Sequence, residues 1–163
     1  MNLKLTEIRQ LQKELDQQIM ANHEVTRLET QTKRILALLV EIGELANETR
    51  CFKFWSFKKP SEKEVLLEEL SDCVHFAISL GIDLHDETNE LEFFDRNEPL
   101  SVQFIDWMKE VSTLKTTFNL AQYQLVLSYI GSVALAMGFD AQEVYDYYVK
   151  KNEINHHRQE NHY

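Results

Sequence analysis

The sequence predicts an all-α protein, a bundle of five to six helices, and two observations carry that expectation. Gly and Pro, the residues that punctuate turns, number only four and two. Apolar residues recur at helical spacing, whereas strand-like alternation bounded by hairpin signals is missing, so helices are expected throughout. At 163 residues the chain reads as one domain, 1–163, long enough to bury a core.

Six segments follow in order. The first, about 3–20, sets Leu5, Ile8, Leu11, Leu15 and Ile19 on one helical face. The second, about 25–49, holds ILALLVEIGELANE, the most apolar run of the chain. The aromatic connector CFKFWSFKKP ends in Pro60, which a helix does not simply cross. Ser61 and Glu64 read as a capping box starting a third helix that runs to about Gly81. The polar joint DLHDETNELEFFDRNEP has room for a short helical piece. Segments of about 100–118 and 120–137 read as an antiparallel pair, closed by Gly138. Asp140 then caps a last helix from Ala141 to about His157.

Composition excludes some functions. Hydrophobic residues are 44% and charged residues 27%, ordinary for a soluble globular chain. A net charge of −10 argues against binding nucleic acid through a basic surface. A polyanionic small substrate would need cations gathered at its site. Cys51 and Cys73 match neither a zinc spacing nor a disulfide framework, and the amphipathic N-terminus lacks a signal-peptide core. No apolar run approaches the roughly 20 residues that span a bilayer. The expectation is a cytoplasmic protein without a membrane partner.

The most apolar run carries glutamates at 41, 44 and 48, which share one narrow stripe at 100° per residue. Leu38, Leu39, Ile42 and Leu45 cover the neighbouring and opposite faces, so the helix reads as buried on most sides. An ionised carboxylate removed from water is costly unless it is paired, hydrogen-bonded or bound to a metal. EVLLEELSDCVHF repeats the pattern: Glu69 and Asp72 share a face, with Glu68 on its edge. Two such helices face to face would bring four carboxylates around one point, where they repel and hold protons. A hard divalent cation such as Mg²⁺ relieves that repulsion through oxygen ligands. No Cys or His cluster suggests a softer metal. Glu48 reads as either an outer ligand or a solvated helix edge.

The C-terminal KKNEINHHRQ supplies the missing positive charge. Lys151, Asn155 and Arg158 fall at i, i+4, i+7 on one face, and Lys and Arg both suit phosphate. His75 and Phe76 lie one turn beyond Asp72, and Trp55 sits in the connector, where an indole can stack on a base. His23, His85, His156 and His157 show no metal or triad pattern and read as surface residues.

The spacing Glu41-x-x-Glu44, 24 residues, Glu69-x-x-Asp72 resembles the metal motif of the all-α nucleoside triphosphate pyrophosphatases, the MazG-like superfamily. Within it the blocks EIGELANE, FKFW, EELSDCVHF and KNEINHHRQENHY, with a weaker LQKELD, are similar to the dimeric dUTP diphosphatases. The resemblance implies Mg²⁺ held by Glu41, Glu44, Glu69 and Asp72, with Glu41 or Glu44 accepting a proton from water. It implies triphosphate contacts from Lys151, Asn155, Arg158 and Tyr163. It sets Gln12 at the uracil edge and Asp16 where many relatives have Asn, while Trp55, His75 and Phe76 are placed around the base by their own positions. The implied reaction is hydrolysis of dUTP to dUMP and pyrophosphate. The implied assembly is a homodimer, for which the apolar surface of segments 100–118 and 120–137 is the candidate. Two positions depart from the pattern: Val40 stands where an extended motif has glutamate, and His162 where Gly usually precedes the terminal Tyr. The alternatives are a broader house-cleaning pyrophosphatase for other pyrimidine nucleotides, or a catalytically silent helical interaction module. The intact acidic quartet with Lys151 and Arg158 argues against silence.

Overall fold

The computed structural model describes residues 1–162. Among the described residues there are six helices: α1 Thr6–Asn22, α2 Arg27–Thr49, α3 Lys63–Asp83, α4 Leu100–Thr113, α5 Leu120–Ala136 and α6 Ala141–Glu160. Two short strands, β1 Asn2–Lys4 and β2 Glu90–Glu92, pair antiparallel with Leu3 opposite Leu91. The all-α expectation holds, with that small sheet as a correction. Each strand buries one residue between two exposed ones, too short a pattern to register as alternation. Residues 3–4 accordingly belong to β1, and α1 begins at Thr6. The joint expected to hold a helical piece holds β2 instead.

Helix starts obey local chemistry where a short polar side chain is free to turn back. Thr26 caps α2 by accepting from Glu29 N–H at 3.2 Å, and Asn119 Oδ1 caps α5 by accepting from Gln122 N–H at 2.8 Å. Asp140 Oδ1 accepts from Glu143 N–H at 2.8 Å, as expected for α6. Gly138, at φ +83°, turns the chain from α5 into α6. The capping box at Ser61 does not form. Glu62 occupies the N-cap without a side-chain bond, and Ser61 donates its hydroxyl to Glu48 across the connector.

The centre is α3, which packs against α1, α2, α5 and α6 and is buried almost all round from Cys73 to Ile82. Ile42 and Leu45 of α2, Leu70 and Val74 of α3, Trp107 of α4, Ile130 of α5 and Tyr148 of α6 share one core with Leu3 of β1. Gly131 lets the sheet lie on α5: a Cβ there would sit 1.9 Å from the Glu92 carbonyl. Partner rungs run in opposite directions along α2 and α3. Arg34 meets Asp83 at 2.7 Å near one end, and Glu48 meets Ser61 at the other. The helices are therefore antiparallel, which brings the two acidic pairs level with each other.

Candidate active site

Glu41 and Glu44 come from the middle of α2, Glu69 and Asp72 from the middle of α3. One carboxylate oxygen each from Glu41, Glu69 and Asp72 lies within 4.8 Å of the other two. Glu44 is exposed at the rim, and its negative charge helps to raise the pKa of Glu41. Glu41 Oε2 and Glu69 Oε2 are buried with no hydrogen-bond partner among the described residues. Burial and the neighbouring Asp72 push Glu41 up to about 8, helped by the Glu44 contact, and push Glu69 up to about 7. Asp72 is raised as well, chiefly by burial. A centre that stores repulsion and leaves two buried oxygens unbonded is chemically incomplete. Oxygen-only donors in this number fit a hard divalent cation.

Two clefts open on the carboxylates. One, of about 290 Å³, is lined by Glu41, Asp72, His75 and Phe76 on one side, and by Lys151, Asn155, Arg158 and Gln159 of α6 on the other. The second, of about 380 Å³, exposes Glu44, Glu48 and Glu69 beside Val40 and Gly43. A larger depression of about 460 Å³ beside Arg9, Lys13 and His85 lies away from this chemistry, its Arg9 committed to Asp86 at 3.0 Å. Lys151 reaches across from α6 to Glu68 at 2.9 Å and stands 3.6 Å from Asp72. Cations and carboxylates thus meet in one cleft, suited to a metal-bridged polyphosphate.

Gln12 and Asp16 lie behind His75. Gln12 donates to Asp16 at 2.8 Å, accepts from the Tyr148 hydroxyl at 2.7 Å, and brings its amide nitrogen 3.5 Å from His75 Nε2. Asp16 also accepts from Ser79 and Arg27, each at 2.7 Å. Burial lowers the pKa of His75 and favours the neutral ring, which meets Phe76 edge to face at 4.7 Å. Trp55 does not line the 290 Å³ cleft; it is 64% exposed and packs edge to face on Phe52 and Phe54. Tyr163 lies outside the described residues.

The polar group behind the site was not foreseen in the sequence. Arg34, 7% exposed, clamps Asp83, which Arg27 also meets at 2.8 Å. Arg27 and Arg34 are seven residues apart, two turns of α2, and that shared face is the signal available in the sequence. Their partners, far along the chain, leave no comparable mark.

A family model described as dUTPase matches residues 4–163. The chain belongs to the dUTPase family. Its activity is accordingly that of a dUTP diphosphatase. The family generally uses a divalent metal, and the acidic cluster is where this enzyme offers ligands for one. No curated protein matches the chain.

Proposed function

We propose that the enzyme hydrolyses dUTP to dUMP and pyrophosphate in a Mg²⁺-dependent reaction at the Glu41, Glu44, Glu69 and Asp72 centre. The observation that carries this is the convergence of three carboxylate oxygens, two carboxylates among them keeping a buried unbonded oxygen, opposite the α6 cations. When bound, the cation supplies a nucleophilic water near neutral pH and offsets charge on the phosphates. Lys151 and Arg158 receive the phosphate oxygens, Lys151 as a point charge and Arg158 through its planar fork, and Asn155 donates between them. Either Glu41 or Glu44 accepts the proton released by the attacking water. His75 and Phe76 flank the nucleoside, with Gln12 behind them.

Mg²⁺ is preferred because the donors are all carboxylates and the cleft is open enough to retain water and phosphate ligands. The all-α pyrophosphatase superfamily and a homodimeric assembly complete the reading. Leu36 and Val40 on α2 and Ile105 on α4 are exposed apolar side chains available for a two-fold contact, and Val40 also lines the acidic cleft.

A broader pyrimidine specificity is the second reading, and one observation favours it. Gln12 and Asp16 are engaged with Tyr148, Ser79 and Arg27 instead of lying open to a base edge. The test is a panel of dUTP, dTTP and dCTP, with products separated by chromatography. The dUTP reading expects kcat/KM at least about tenfold higher for dUTP, since an unmatched buried polar group discriminates strongly. Equal efficiencies across the panel would replace it with the broader one.

A further inference from the structure

Glu68 is not one of the converging carboxylates. It stands on α3 one turn before Asp72, its side chain about half exposed at 53%, facing α6. Lys151 projects from α6 between these two carboxylates, its side chain only 11% exposed. The ammonium is 2.9 Å from Glu68 Oε1 and 3.6 Å from Asp72 Oδ1, so the hydrogen-bonded partner is Glu68 and the looser one is Asp72. Lys150 and Arg158 also bear favourably on the Glu68 charge, which places the carboxylate in the cationic part of this face.

This asymmetry matters because Asp72 and Lys151 have conflicting duties. A carboxylate that serves a divalent cation cannot also be held tightly by an ammonium, since both compete for the same oxygens. With Glu68 absent, the nearest anion for Lys151 would be Asp72, and a tight pair there would withdraw one oxygen ligand. We propose that Glu68 is a positioning residue: it parks Lys151 beside Asp72, leaving that carboxylate available to the cation and the ammonium within reach of phosphate. This rests on the metal reading given above, and concerns a residue outside the acidic quartet.

The test is a double-mutant cycle read by calorimetric titration of Mn²⁺ and Mg²⁺ into the nucleotide-free protein, with circular dichroism confirming helical content. Glu68→Gln is expected to weaken cation binding roughly three- to tenfold, because Lys151 settles on Asp72. Lys151→Met is expected to tighten it by removing the competitor. In the Lys151→Met background, adding Glu68→Gln should change affinity less than about twofold. Glu68→Asp should recover part of the lost affinity. With dUTP, Glu68→Gln should raise KM more than it lowers kcat, as for a misplaced binding group. An equal loss of affinity from Glu68→Gln with or without Lys151 would show that Glu68 acts only as a nearby charge, and would overturn the proposal while leaving the metal reading intact. Absence of any cation uptake by the wild-type protein would overturn both.

Discussion

Glu41 is costly to the fold at neutral pH. Its pKa of about 8, with Glu69 at about 7, lies above the ordinary 4.5, so the folded protein binds more protons than the unfolded chain between those values. Where the folded state holds extra protons, stability falls as pH rises. The stability is full below the unfolded value and is lost up to the folded one. His75, held neutral by burial, acts in the opposite sense below its ordinary 6.5, so the window to examine is about pH 6.5–8.5. Both glutamates retain solvent contact, and screening reduces the effect to on the order of 1–2 kcal/mol. The metal-free protein should therefore lose several degrees of Tm across this window. Glu41→Gln, which stays neutral, should flatten the loss and raise Tm at the alkaline end. A metal-free Tm that rises with pH would contradict the stored repulsion. The same substitution, like Glu44→Gln or Asp72→Asn, should cut kcat by at least about a hundredfold in an otherwise folded protein, as steady-state assay will show.

At the scale of elements, α2 and α3 do two jobs along one antiparallel contact. One end is closed by Arg34, Arg27, Asp83, Asp16 and Ser79, the middle holds the carboxylates. Arg34→Ala would leave the buried Asp83 with Arg27 and a long bond from Gln31, and should cost about 3 kcal/mol, read as a lower urea midpoint at unchanged slope. Arg158→Ala on α6 should instead act on substrate binding and raise KM for the triphosphate, measured by initial rates. The acidic faces were legible in the sequence because a three-residue spacing on a helix fixes direction, whatever surrounds it. The Lys151, Asn155, Arg158 face was legible for the same reason, and those three do line one cleft. Ser61 was misread because its hydroxyl found Glu48, a tertiary partner that local pattern cannot reveal. The ionic group around Asp83 depends on residues some fifty positions apart and carries no local signature.

For the whole molecule, the helical bundle followed from composition and periodicity, while the sheet that ties residue 2 to residue 92 did not. Much of the apolar surface expected to drive association turns inward: Phe104, Trp107, Val111, Val126, Ile130 and Val133 are all buried within the chain. Of that surface Ile105 at 68% and Leu125 at 49% stay exposed, and α2 adds Leu36 at 61% and Val40 at 50%, Val40 lining the acidic cleft. A homodimer built on that face should scatter light with twice the chain's 19.3 kDa, and Ile105→Glu should return it to a monomer. A mass of one chain at micromolar concentration would show a monomer instead.

If converging carboxylates run a divalent-metal hydrolysis of dUTP, the products and their dependence on the metal follow. The products of dUTP are identified by chromatography after incubation with Mg²⁺, after exhaustive chelation, and after Mg²⁺ is returned. Expected are dUMP and pyrophosphate with Mg²⁺, a loss of turnover of at least about a hundredfold on chelation, and recovery on re-addition. Undiminished turnover by the chelated enzyme, or dUDP and phosphate as products, would contradict this expectation.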